Sequence, residues 1–161
     1  MDKEVKYLTK IITHRAKVQE ALETVASKLK QRAFSHDLSK FNASEFDGMS
    51  NKLDQLEETE FGSSEYYKIL KSLKNELGEH YFKNRHHPEH YIDKIESMSL
   101  IDLLEMIADW KAASKSVRFS DTLDTCFERF NVPKIMKHQI AFTCLDLGWI
   151  DPEEYIDMDL D

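Results

Sequence analysis

A chain of 161 residues that is 41% hydrophobic and 32% charged, with only four glycines and three prolines, has apolar material for one core and too few turn residues for a loop-rich all-β fold. Its formal net charge of −8 argues against long polynucleotides, whose phosphates are neutralised by Lys and Arg. No stretch approaches the roughly 18 uninterrupted apolar residues of a membrane span. The start MDKEVKYLTK lacks the apolar centre of a secretory signal, and Cys126 and Cys144 read as ordinary buried thiols of a reducing compartment, so a cytoplasmic protein without membrane contact is expected.

From Lys3 to about Leu29, apolar residues recur at steps of three and four (Val5, Leu8, Ile11, Ile12, Val18, Leu22, Val25), which predicts a long amphipathic helix with His14 on its inward stripe. A short helix over Gln31 to Lys40 would carry His36 and Asp37. Phe41 to Ser44 offers a break and a new N-cap, and Phe46, Met49, Leu53 and Leu56 form a weaker stripe that could cover a pocket over Asn42 to Glu60. Phe61-Gly62-Ser63-Ser64 punctuates the chain before a helix that runs to about Asn84 and bears His80 near its end.

Pro88 fits the first turn of another short helix, which makes Asn84-Arg85-His86-His87 a corner between helices. Ser97 or Ser99 caps the most apolar helix, Leu100 to about Ala113, with Asp109 inside it. Helices near Asp121 to Phe130 and Lys134 to Leu147 follow, with His138 on the apolar stripe of the second, and Gly148 stops it. The pattern predicts an all-α fold of about six to eight helices: one domain over 1–150 and an acidic C-terminal tail over 151–161.

Neutral imidazole and carboxylate are the side chains a protein offers to Zn, Mn, Fe, Co or Ni, and His14, His36, Asp37, His80, His86, His87, His90 and Asp109 supply both kinds. Adjacent His36 and Asp37 cannot point the same way from a regular helix, so a pair acting together belongs at a helix end or bend. Burying a lone imidazole or carboxylate costs a few kcal/mol or more, and a shared metal would satisfy several of them at once. A hydrogen-bonded core histidine, an aspartate paired with Arg85 or Lys111, and a solvated corner at His86, His87 and His90 are the plainer alternatives. Asp102 shares the helix face of Asp109 and is its substitute as a ligand, while Glu45 and Glu105 are candidates to orient a ligand histidine.

The residues His14, His36-Asp37-Leu38-Ser39-Lys40 and Asp109 resemble the H…HD…D series of the HD-domain metal-dependent phosphohydrolases. The local strings Asn84-Arg85-His86-His87-Pro88-Glu89-His90-Tyr91 and Asp102 to Lys111 are similar to those of a family of small phage and bacterial proteins with no assigned activity, and the resemblance spans about Val5 to Phe130. It implies an HD-like helical bundle, located in the host cytoplasm if phage-encoded. It also implies that His14, His36, Asp37 and Asp109 bind a first divalent transition metal, with Mg also allowed, and that Asp37 can bridge to a second ion. His80, His86 and His87 fall in the interval where two-metal HD proteins place further ligands.

The activity so implied is hydrolysis of a small phosphorylated substrate such as a nucleotide. Lys40 would stabilise the added negative charge, Arg85 would clamp a phosphate, and His86 or His87 would protonate the leaving oxygen. A di-iron HD-type oxygenase and a catalytically silent, metal-braced binding protein are the alternatives. The oligomeric state, a homodimer included, is left open.

Overall fold

The computed structural model describes residues 2–59 and 63–160, and the protein is all-α. The chain divides into two compact units, Met1–His36 and Asp37–Asp161, so the division falls far from the boundary near residue 150 that composition predicts. The first unit is helix α1, Lys3–Ser35, whose N-cap Asp2 accepts the amide hydrogen of Glu4. It outruns the predicted end at Leu29 because Gln31 to Ser35 contains nothing that breaks a helix. The expected separate helix over Gln31 to Lys40 is replaced by the last turn of α1, a bend at His36 and Asp37, and a 3₁₀ turn over Leu38–Phe41. His14, expected to face inward, is exposed with the rest of its stripe, since one helix has no second layer in its own unit on which to bury it.

The second unit opens with α2 (Ala43–Ser50, N-cap Asn42) and α3 (Leu53–Glu57). Of the predicted break at 61–64, residues 61 and 62 lie outside the described residues, while Ser63 caps α4 (Ser64–Ser72) by accepting from the Tyr66 amide. The single helix predicted to Asn84 is two: Leu73, 3% exposed, interrupts it, and α5 (Lys74–Lys83) continues. Pro88 begins a 3₁₀ turn, Pro88–His90, and another spans Lys94–Ser97, so the chain from Asn84 to Ser99 is a corner built of short turns.

Ser99 then caps α6 (Leu100–Ala113) in a box with Asp102, each side chain bonding the other's backbone amide. Helices α7 (Phe119–Arg129) and α8 (Lys134–Asp146) pack with α6 around a core that includes Met106, Ile107, Leu123, Phe127 and Ile140. Trp110 lies flat on Phe130 at its edge, with ring centroids 5.6 Å apart. His138 is exposed on α8 rather than part of this core.

The acidic segment after Ile150 is not a tail. Asp151 and Glu154 form a second capping box, Pro152 occupies the first turn of α9 (Pro152–Asp157), and Met158 and Leu160 are buried in the core beyond it. Polar links fasten α9 to the start of α7: Ser120 donates to Glu154 Oε1 (3.1 Å), and Arg118, the residue before α7, pairs with Asp157 (3.0 Å). Charge repulsion in this stretch is outweighed by capping and by the apolar residues interleaved with the carboxylates. Among the described residues no helix is long and apolar enough to cross a membrane.

A candidate metal centre

Five parts of the second unit bring polar side chains to one place. The bend after α1 holds Asp37 at φ +54°, a left-handed conformation that Asp tolerates better than most residues. Near the end of α5, His80 is 4% exposed, and the corner that follows supplies His86, 1% exposed, and half-buried His87. Buried glutamates come from α2 (Glu45) and α6 (Glu105).

Each of the two most buried histidines is held from behind by a glutamate. Nδ1 of His80 donates to Glu45 Oε1 at 2.5 Å, and Nδ1 of His86 lies 3.3 Å from Glu105 Oε1. With a proton on Nδ1, Nε2 is the nitrogen able to accept a metal, and both Nε2 atoms face Asp37 Oδ1, at 3.5 Å from His80 and 3.3 Å from His86. His87 completes the group with its Nε2 2.7 Å from that of His80. Asp37, His80, His86 and His87 each offer one ligand atom, all within 4.8 Å of one another. Asp37 and Asp109, the latter on α6, likewise bring carboxylate oxygens within 4.8 Å of each other.

Electrostatics divides the three imidazoles. Burial opposes charge on His86, but the carboxylates of Asp37 and Glu105 outweigh it and raise the ring to about 9. Burial lowers His87 to about 3, helped by the neighbouring His86 and His80. His80 is also lowered, chiefly by burial and against the pull of Asp37 and Glu45. The cluster thus concentrates positive charge at one point between two carboxylates. Three imidazoles and a carboxylate suit a borderline transition metal better than Mg, which prefers oxygen and retained water, and a glutamate behind a ligand histidine is the usual support for such an ion.

The other predicted residues fall as follows. Lys40 places Nζ 2.6 Å from Asp37 Oδ2 while its side chain stays 51% exposed. Arg85 does not present its fork to the centre: Nε and Nη2 donate to Asp102 at 3.3 and 3.0 Å, so the edge expected to clamp a phosphate already holds a carboxylate. Asp102, the substitute ligand, is fully buried and also accepts from the hydroxyls of Tyr91 and Ser99, both at 2.7 Å, which makes it a structural anchor. His86 turns both ring nitrogens toward carboxylates, Nε2 to Asp37 and Nδ1 to Glu105, each at 3.3 Å. His90 Nδ1 donates to the Tyr81 carbonyl and stands apart. Half-buried His36 and exposed His14 belong to the first unit.

Two site residues were not predicted. Asn84 donates to the Ser39 hydroxyl (2.7 Å) and the His80 carbonyl (2.8 Å), tying the 3₁₀ turn after Asp37 to the end of α5. Their signals were present, since Asn84 lies one helical turn beyond His80 and Ser39 lies inside the string 36–40, but neither residue type announces a role by itself. No curated protein and no solved structure matches the chain. Residues 3–145 match the Family of unknown function (DUF5662), and the chain belongs to that family.

Proposed function

We propose that the protein is a metal-dependent phosphohydrolase acting on a small phosphorylated substrate, a nucleotide or nucleotide-like molecule, with the ion held by Asp37, His80, His86 and His87. The observation that carries this reading is the convergence of four ligand atoms within 4.8 Å, with His80 and His86 each backed by a buried glutamate. Asp109 lies close enough to Asp37 to join it, and His36 and His14 enter through the HD-like order of the sequence. Divalent transition metals are the fitting class, as one ion or two.

A bound ion would supply a Lewis acid toward phosphoryl oxygen and activate water near neutral pH. The protein's own residues do the rest. Glu45 and Glu105 hold the rings of His80 and His86 from behind, so that their Nε2 atoms face Asp37. Asn84 and Ser39 hold the helix end and the bend in register. Lys40, anchored beside Asp37 yet exposed, can leave its carboxylate and meet an incoming phosphoryl group, where its charge opposes the anion that forms. Arg85 is withdrawn from the phosphate-binding role because Asp102 occupies it.

Metal analysis of untagged wild type and Asp37→Asn, followed by phosphate release from a panel of nucleotides with the metal found, tests the proposal. About one or two transition-metal ions per chain, lost in the variant together with oxygen-independent phosphate release, is the expected result. Paired iron with oxygen-dependent turnover would replace it with the oxygenase reading. Absence of metal after reconstitution would leave the cluster as a hydrogen-bonded network in a binding protein.

A further inference from the structure

The first unit displays an apolar stripe that nothing in that unit covers. Along α1, a helix roughly 50 Å long at 1.5 Å per residue, Leu8, Ile11, Val18, Leu22, Val25 and Leu29 recur at alternating steps of three and four, broken only at Arg15. Ile12 is 59% exposed and Leu22 63%. Lys3, Lys10 and Lys17 follow one edge of the stripe at seven-residue intervals.

The second unit carries a surface of matching character. Between α6, α8 and α9 runs an apolar groove of about 660 Å³, lined among others by Leu100, Leu104, Met136, Phe142 and Tyr155. Leu100 is 77% exposed and Phe142 61%, and the Phe142 ring stands edge-on to Tyr155 with centroids 6.0 Å apart. Exposed Asp146, Asp151 and Glu153 stand at the ends of the helices that form it.

Charge selects the occupant. Residues 1–36 hold eight Lys and Arg against four Asp and Glu, a net +4, whereas residues 37–161 hold fourteen against twenty-six, a net −12. We propose that α1 of one copy docks along the α6–α8–α9 groove of a second copy, its lysine edge toward the acidic ends of α8 and α9. Reciprocal exchange closes a two-fold dimer in which every stripe and every groove is used once. Like net charge disfavours the other self-pairings: groove on groove brings together two units of −12 each, and α1 on α1 two of +4 each.

The test needs no ligand. Sedimentation of the full chain at micromolar concentration should give twice the 18.9 kDa chain mass, and a monomer there overturns the proposal. Leu22→Glu in the stripe and Phe142→Glu in the groove should each convert dimer to monomer with helical circular dichroism unchanged. A dimer that survives either substitution places the contact elsewhere and defeats the inference. Should a variant unfold, the wild type still decides: isotope-labelled and unlabelled protein are mixed dilute, concentrated and treated with a zero-length amine-to-carboxylate cross-linker. Links from Lys3, Lys10 or Lys17 to Asp146, Asp151 or Glu153 in mixed-isotope pairs support exchange. The same links confined to one isotope show the groove filled by its own chain and overturn it.

Discussion

One face of α6 gives Met106, Ile107 and Trp110 to an apolar core, while Asp102, Glu105 and Asp109, at steps of three and four, give the same helix a carboxylate face. The two faces are buried by different rules. An apolar side chain is satisfied by any close-packed neighbour, so the core can be described by volume and contact. A buried carboxylate needs particular donors at particular distances, and the two buried ones have found different kinds: a guanidinium with two hydroxyls for Asp102 and an imidazole for Glu105, while Asp109 is only half-buried. The core therefore holds the helices together, and the polar face determines how they are registered.

That contrast can be broken most strongly from the apolar side. Phe127→Ala removes a ring that is 1% exposed and should cost about 3–5 kcal/mol in urea unfolding. Metal bound per folded chain should not change, and a parallel loss of metal would show that the two regions are not separable.

From the polar side, Asp102→Asn should cost about 1.5–3 kcal/mol at neutral pH, the range for hydrogen bonds to a charged group. Its pH dependence carries a sign. Burial opposes the Asp102 charge, but bonds from Arg85, Ser99 and Tyr91 outweigh it and hold the carboxyl below the ordinary range. A group depressed on folding stabilises the protein above its unfolded pKa near 4 and loses that contribution as pH falls toward the folded value. Urea midpoints of wild type and variant should accordingly converge below about pH 4, and a constant gap would assign the loss to packing.

The smallest effect sharpens the comparison. Glu45→Gln keeps an acceptor for His80 Nδ1 but removes the charge behind it, and should weaken metal binding about 10–100-fold in a chelator competition. Unchanged affinity would reduce Glu45 to a packing residue.

Local features of this fold were legible in the sequence wherever a residue's own chemistry sets the backbone. Ser99, one of two serines read as the cap of α6, does cap it, Ser63 caps α4, Pro88 opens a turn, and α6 buries Met106, Ile107 and Trp110 as its apolar run suggests. Asp151-Pro152 with Glu154 is equally local, yet the density of carboxylates disguises a capping box as a tail. Leu73 was not legible, because an apolar residue at a kink looks the same as one inside a helix.

At the site, the residue types and their order point to Asp37 and His80 as ligands, but not to His86 and His87 as their companions, nor to the partner of each. His80 meets Glu45 from 35 residues away, and Arg85 meets Asp102 across 17, choices made by packing between elements that spacing along a chain does not record. Arg85 shows the cost of reading a side chain by its chemistry alone: its fork suits phosphate and carboxylate equally, and a carboxylate lay within reach.

The left-handed backbone at Asp37 has one more consequence. At φ +54°, most L residues are strained by roughly 1–3 kcal/mol, and Gly, Asn and Asp are the usual exceptions. The side chain there must also present an anionic oxygen between two imidazoles. Glutamate answers only the second demand, while asparagine and glycine answer only the first. Aspartate alone answers both, so this position has effectively a one-letter alphabet.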